Sequence, residues 1–330
     1  MKTYQVVGIG NAMVDILTRA QDGFLADAGI EKGIMQLIDM DRAVDLYAKI
    51  GPAREVSGGS AANTIAGIAH LGGKTAYVGK VKDDQLGAIF AHDLRAQGAV
   101  YQTALAPKSA EHETGRCIVI VTPDGERSMN TYLGVTEFLT PADIDPAMMS
   151  DADWIYLEGY RFDGPESHAA FAKAIEACKS SGGRVSITLS DPFCVARHRD
   201  AFRTMIRDHV DLLFCNRAEM LSMYQTEDFD AALAQAAQEV AIVACTDSEN
   251  GAHILSNGQR WHAPAVPTSI VDATGAGDLF AGAFLWGLTQ GASLENCGRM
   301  GCVAASEVIS HIGARPEANL KDLFVRHGLL

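Results

Sequence analysis

The sequence predicts a doubly wound α/β fold with a small β lid inserted into it. Three observations carry this expectation. Short, near-continuous apolar runs alternate with amphipathic helical periods along most of the 330 residues, as parallel strands covered on both faces do. Two stretches break that rhythm: residues 16–38, which have no long helical period, and residues 114–121 with 127–133, which read as an antiparallel hairpin. No Pro/Gly/Ser linker, internal repeat or low-complexity tract divides the chain, so we read one domain, residues 1–330, with a lid formed by about 12–56 and 111–137.

Taken in order, residues 6–9 form a short buried strand. Residues 60–71 are a helix with Ile65, Ile68, Ala69 and Leu71 on one side, ended by Gly72-Gly73. A strand at 75–81 precedes a helix at 84–97, where Leu86, Ile89, Phe90 and Leu94 keep helical spacing up to Gly98. Pro123-Asp124-Gly125 supplies the hairpin turn. Further on come a strand at 154–157, a helix at 165–178 with Pro165 in its first turn, and strands at 185–189, 210–215 and 240–245.

A formal charge of -14 opposes binding to nucleic acid or to an anionic membrane. It leaves anionic ligands open, because a helix N-terminus binds phosphate without net positive charge nearby. No run approaches the roughly 18 apolar residues that span a bilayer. Residues 1–10 lack a signal-peptide pattern and read as the approach to the first strand. The seven cysteines include no CxxC pair, so buried free thiols in a reducing, cytoplasmic setting are expected rather than a zinc knuckle or redox dithiol.

The strongest chemical signal is Asp272-Ala273-Thr274-Gly275-Ala276-Gly277-Asp278, followed by the apolar run 279–284. Small residues entering a helix let the amides of Gly275 to Asp278 form a concave nest for a phosphate oxygen. Asp278 stands at its mouth, where a carboxylate can take the proton of an attacking hydroxyl; a loose phosphoryl-transfer transition state asks mainly for positioning. The plain alternative is a glycine-rich turn with Asp capping a helix.

Four other motifs read equally well as ordinary structure when each stands alone. Gly58-Gly59-Ser60-Ala61-Ala62-Asn63 allows close backbone approach or is a strand-to-helix turn. Asn11 and Asp15 follow the first strand and could simply cap a loop. Asn216-Arg217-Ala218-Glu219 is also a helix-capping pattern. Thr246-Asp247-Ser248-Glu249-Asn250-Gly251 is a loop after a strand.

Together these runs resemble the ribokinase-like kinases, the PfkB carbohydrate and nucleoside kinase family. The 272–278 run is similar to that family's signature Asp-Thr-x-Gly-Ala-Gly-Asp, departing only at Ala273. The resemblance implies a three-layer α/β/α ribokinase-like sandwich and an ATP-dependent kinase. It assigns Asp278 as the base and Gly275, Ala276 and Gly277 as the nest. Asn11, Asp15, Gly58, Gly59, Ser60 and Asn63 become the acceptor site. Asn216, Thr246, Ser248, Gly251 and Thr274 take the nucleotide side with Gly275 and Gly277, and Glu219 supports magnesium. Ser248 departs from the family's loop, where a glycine is usual. Residues 304–313 are similar to the family's adenine-side helix and loop. Asp272 falls where a potassium loop would lie, with turn capping as the alternative.

Within the family the adenosine-kinase branch is the nearer resemblance, through Thr114-Gly115-Arg116-Cys117, Tyr156-Leu157-Glu158-Gly159-Tyr160 and Leu189-Ser190-Asp191-Pro192-Phe193. A nucleoside needs apolar surface for its base; Tyr160, Gln36, Leu37 and Cys117 are the candidates. The expectation is therefore phosphorylation of adenosine, in purine salvage, by a monomer or homodimer that binds neither nucleic acid nor membrane. A kinase for free ribose or fructose is the alternative. A non-catalytic sensor and a dinucleotide enzyme are the remaining rivals; Gly8-Ile9-Gly10 follows a strand, but Met13 stands where a third glycine belongs.

Overall fold

A computed structural model describes residues 2–330. Numbered along the chain, the first strands are β1 (Tyr4–Ile9), β2 (Met13–Arg19), β3 (Met35–Leu37) and β4 (Arg54–Gly58). Next come β5 (Thr75–Val78), β6 (Val100–Tyr101), β7 (Gly115–Val121) and β8 (Arg127–Tyr132). The C-terminal half adds β9 (Ala152–Glu158), β10 (Arg184–Thr188), β11 (Leu212–Asn216), β12 (Ile242–Thr246), β13 (Ala252–Ser256) and β14 (Gln259–Ala263). Among the described residues they make a nine-stranded sheet, ordered β14-β13-β12-β11-β10-β9-β1-β5-β6, and a five-stranded sheet, ordered β3-β8-β7-β2-β4.

Alternation of side chains explains why the large sheet is covered twice. Val6, Trp154, Tyr156 and Phe214 face one core with Ile65, Leu279, Phe284 and Met300. Their neighbours Val7, Ile155, Leu157 and Leu213 face a second core with Phe171, Phe202, Met220 and Leu233. The helices Ser60–His70, Ala276–Thr289 and Leu294–Val308 thus lie on one face, and Ser167–Ser180, Pro192–His209, Arg217–Tyr224 and Phe229–Glu239 on the other. This is the three-layer α/β/α sandwich. No helix among the described residues is long and apolar enough to cross a membrane.

The chain leaves β1 toward β5 on one side and later returns to β9 on the other, both parallel to β1. That reversal makes the carboxyl ends of β1 and β9 the switch point where ligands of such sheets bind. β2 and β4 run antiparallel to each other beside this point, with Met13 opposite Gly58 and Asp15 opposite Val56. One face of the small sheet packs Ile16, Ile118 and Ile120 under Leu25 and Leu46 of two helices; the other gathers Met13, Leu17, Cys117 and Val119.

Three local features differ from the sequence reading. The helix expected from 165 begins at Ser167, after Pro165, because Ser167 first closes a turn onto Gly164 O and its hydroxyl takes Arg161 Nη2 at 2.8 Å. The hairpin of β13 and β14 went unread, although Asn257-Gly258, with φ of 49° and 74°, is the pair its two-residue turn favours. The expected strand 75–81 stops at Val78.

Asp84 joins the two sheets' neighbourhoods. It caps its helix at Gly87 N (2.8 Å) and accepts from Thr114 N (2.9 Å) and Thr114 Oγ1 (2.7 Å), just ahead of β7. We predict that Asp84→Ala lowers stability by about 1–2 kcal/mol, read as a drop in denaturation midpoint with an unchanged denaturant slope.

Candidate active site

The helix Ala276–Thr289 begins with Gly275 at its N-cap, φ 81°, and no side chain caps that end. Its first-turn amides have no intrahelical partner, and they carry the positive end of the helix dipole. A methyl added at Gly275 would meet Ala314 Cβ at 2.7 Å, whereas one added at Gly277 would meet nothing within 4 Å. Gly275 is therefore glycine for conformation and packing, and the space over exposed Gly277 is open to a ligand. Ala276 follows the left-handed residue as the first helical position.

Asp278 sits in this first turn, partly accessible, and both its oxygens are held. Ser60 Oγ donates to Oδ1 at 2.6 Å and Asn63 Nδ2 to Oδ2 at 2.9 Å. Burial raises its carboxyl pKa above the ordinary carboxylate value; those two hydrogen bonds and the charges of Arg127 and Arg315 oppose the rise. Ser60 and Asn63 thus orient the carboxylate instead of only facing a ligand. Asn63 Oδ1 is buried without a partner, so one acceptor there awaits a donor.

Beside them the Gly58-Gly59 step serves its own chain. A side chain at Gly58 would overlap the Asp15 carboxylate, and one at Gly59, φ 95°, would overlap Asn11 O. Asp15 is buried, and its carboxyl is pushed up to about 7: desolvation leads, Arg315 opposes it, and the Asp278 and Asp272 charges add to it. Asn11 is buried as well, with its side-chain oxygen taken by Arg161 Nη1 at 3.0 Å.

Two residues missed by sequence reasoning organise this corner. Glu158 accepts from Asn11 N (3.2 Å) and Ala61 N (2.8 Å), and burial raises its carboxyl to about 7. Arg161, three residues on, also reaches Thr136 O, Glu137 O (3.5 Å) and Leu139 O (3.4 Å), where the chain leaves β8. A Glu at a strand end was visible; that it binds backbone of two distant segments was not.

On the nucleotide side, Asn216 and Glu219 form a reciprocal capping box: Asn216 Oδ1 accepts from Glu219 N (2.8 Å), and Glu219 accepts from Asn216 N (2.9 Å). The capping reading of that motif is the local structure. Thr246 Oγ1 donates to Cys215 O (3.5 Å). Ser248 adopts φ 49°, so it takes the left-handed backbone despite lacking the glycine usual there, and Gly251 has φ 87°. Thr274 is occupied within its turn, since its amide and hydroxyl both donate to Asp272 Oδ1 at 2.9 and 2.6 Å; Asp272 Oδ2 accepts from Gly313 N at 2.8 Å.

Of the base-side candidates, Gln36, Leu37 and Cys117 share the small sheet, where Leu37 and Cys117 both pair with Thr131, and Tyr160 follows β9. Cys117 is buried in the small sheet's core, where Thr131 Oγ1 donates to its sulfur at 3.3 Å and burial raises its pKa. It packs with Leu17 and Val119 and stands opposite Asp15 in the β2–β7 register, beside the acceptor-site candidates. Gln36 is bound to Asn130 Oδ1 at 2.5 Å, and its neighbour Leu37 is 49% exposed. Tyr160 is half-buried, its amide donating to Ser190 Oγ at 3.0 Å and its hydroxyl to Ser190 O at 3.4 Å.

The candidate site is thus an uncapped helix N-terminus beside an oriented carboxylate, at the switch point of a doubly wound sheet. Residues 33–320 match the pfkB family carbohydrate kinase model, and the chain belongs to that family. It is accordingly an ATP-dependent sugar or nucleoside kinase. A "probable sugar kinase protein" from Rhizobium etli CFN 42 is 49% identical, with a TM-score of 0.96 over 100% of both chains. An adenosine kinase from Sinorhizobium meliloti is 47% identical, with a TM-score of 0.94 over 98% of this chain and 99% of the other. The adenosine kinase of Saccharomyces cerevisiae is 25% identical, covering 94% of this chain and 96% of its own.

Asp15 gives a test that needs no substrate. With its folded pKa about 7, above the unfolded carboxylate value, the native state binds the extra proton. Its contribution to stability therefore declines as pH rises through that window. Asn at this position cannot titrate, so Asp15→Asn should gain melting temperature relative to wild type from about pH 5 to about pH 8. Parallel melting curves across that range would contradict the raised value.

Proposed function

We propose that the chain transfers the γ-phosphoryl group of ATP to the 5′-hydroxyl of a nucleoside, adenosine foremost. The observation that carries this reading is Asp278 held by Ser60 and Asn63 at the mouth of an uncapped helix N-terminus. The acceptor hydroxyl lies between Asp278 and the open space over Gly277. Asp278 takes its proton as the phosphoryl group moves, and the amides of the Gly275–Gly277 turn hold the charge that develops. A base with a raised pKa suits that task better than an ordinary carboxylate. Asp15 and the unpartnered Asn63 Oδ1 accept hydrogen bonds from neighbouring sugar hydroxyls. The small sheet acts as the lid, excluding water that would compete as acceptor.

Magnesium fits the donor set on the nucleotide side. Glu219 is buried, pairs with no cation among the described residues, and has a carboxyl raised to about 7 by burial and by the Asp191 and Asp278 charges. Its oxygens take N–H groups from Asn216 and keep lone pairs for the water shell of an ion. When bound, magnesium would neutralise phosphate charge there. Thr246, Ser248 and Gly251 border the nucleotide. We give potassium no residue of its own, because Asp272 already accepts three hydrogen bonds in closing its turn. The working form is a cytoplasmic monomer or homodimer.

Adenosine rests on the two named adenosine kinases and on the runs around Tyr160 and Ser190. The free-sugar reading has its own support in the Rhizobium etli relative and in a carboxylate–amide pair suited to any polyol. A coupled assay with ATP and magnesium across adenosine, inosine, guanosine, ribose and fructose, with and without potassium, separates them. We expect adenosine to give the highest kcat/KM; a higher value for a free sugar would replace it.

For the base, Asp278→Asn should lower kcat by about 10³-fold, within the range typical of general base loss, with acceptor binding nearly unchanged. A variant that kept near-normal kcat would remove Asp278 from this role. The wild-type rate should fall in acid as Asp278 is protonated, with the midpoint above the ordinary carboxylate range.

A further inference from the structure

We propose that Arg315 is a positioning residue for the acceptor site: its guanidinium fixes the first turn of the acceptor helix and supplies the positive charge that Asp15 and Asp278 share. The role is carried by three consecutive residues. Gly313 N donates to Asp272 Oδ2 at 2.8 Å, and Ala314 packs so closely on Gly275 that a methyl there would lie 2.7 Å from its Cβ. Arg315 then reaches across: Nη1 donates to Ala62 O at 2.7 Å, and Nη2 to Ser57 O and Ser57 Oγ, both at 3.0 Å. Ser57 and Ala62 bracket the Gly58-Gly59 step and Ser60, and Asn63, the second residue that holds Asp278, follows Ala62 directly. One short segment thereby locks the phosphate nest to the acceptor helix, and its arginine is the link.

The charge environment supports a second effect of the same side chain. Arg315 faces Asp15, Asp93, Asp278 and Tyr77; Asp93 in turn accepts from Ser57 N at 3.0 Å. Asp278 is also near Arg127, Tyr156, Glu158 and Glu219, and Asp15 is near Asp272 and Cys117. Acids outnumber cations in this set. Burial pushes both carboxyls up, and Arg315 opposes that rise at each. Removing its charge would make Asp278 harder to ionise and would loosen the turn carrying Ser60 and Asn63.

The kinetic part of this proposal rests on Asp278 acting as the base; the unfolding part does not. Purified Arg315→Met and Arg315→Lys are compared with wild type. In Arg315→Met the acid limb of kcat/KM should move up by roughly one pH unit, and KM for the acceptor chosen by the screen should rise about tenfold, each near the ~1.4 kcal/mol scale of one lost charge contact. Arg315→Lys should restore the limb while keeping part of the KM rise, because an ammonium keeps the charge but not the fork. In substrate-free melts, the gap between wild type and Arg315→Met should widen from about pH 5 to about pH 8, since wild type ionises the two carboxylates more readily. An acid limb that stays in place together with a pH-independent melting gap would reduce Arg315 to a structural brace and overturn the proposal. A widening gap with an unmoved limb would leave the charge effect standing and count against Asp278 as base. If Arg315→Met does not fold, Arg315→Lys and Ser57→Ala decide the hydrogen-bond part: unchanged acceptor KM in both overturns it.

Discussion

A single buried carboxylate anchors the arrangement at the switch point. Glu158 ends β9, and its two oxygens accept the amides of Asn11, beyond β1, and Ala61, in the first turn of the acceptor helix. This one carboxylate joins segments 147 and 97 residues away. The entry angle of the helix Ser60–His70 depends on that grip. So does the placement of Ser60 and Asn63, and through them the orientation of Asp278. Gly10 is glycine for the same reason: a side chain there would collide with the Glu158 carboxylate and with Ala61.

The electrostatics follow from crowding acids into a desolvated cleft. Asp15, Glu158 and Glu219 all have carboxyls raised to about 7, each chiefly by burial. Such groups resist ionisation until cations approach, and the protein's own share falls to Arg315, Arg161 and Arg127. A chain of net charge -14 can still receive a polyphosphate, because the attraction is local: the helix N-terminus behind Gly277 presents oriented amides and no competing side-chain cap. The helix N-terminus and the acid cluster stand side by side, as the proposed proton removal at one and phosphate stabilisation at the other require.

Much of this was legible in the sequence, and the illegible parts share a cause. The alternating cores on the large sheet follow from apolar runs such as 240–245, and the nest from the run 272–278. The capping alternative for Asn216 and Glu219 was legible because they stand three positions apart at a helix start. What Cys117 faces was not legible, because a cysteine in an apolar run looks the same whether its strand faces a ligand or a core. The β13–β14 hairpin was missed although Asn257-Gly258 marked it. Glu158 was visible as a strand-end acid, but the partners of Glu158, Arg161 and Arg315 were not, because a lone charged residue beside a strand or a glycine has no periodicity to betray them.

By itself the sequence determined the order of strands and helices and the small residues that enter the helix at Ala276. It also determined which residue types were available for the chemistry. Those properties are set by contacts a few residues apart, through propensity, alternation and the conformational freedom of glycine at Gly275. The tertiary structure alone decided what Asp278 does. Its partners Ser60 and Asn63 lie 218 and 215 positions away, and Arg315 comes from the far end of the chain. Hydrogen bonds across such distances exist only once the sheet has brought its two halves together, and burial then gives each carboxylate a proton affinity that composition could not reveal.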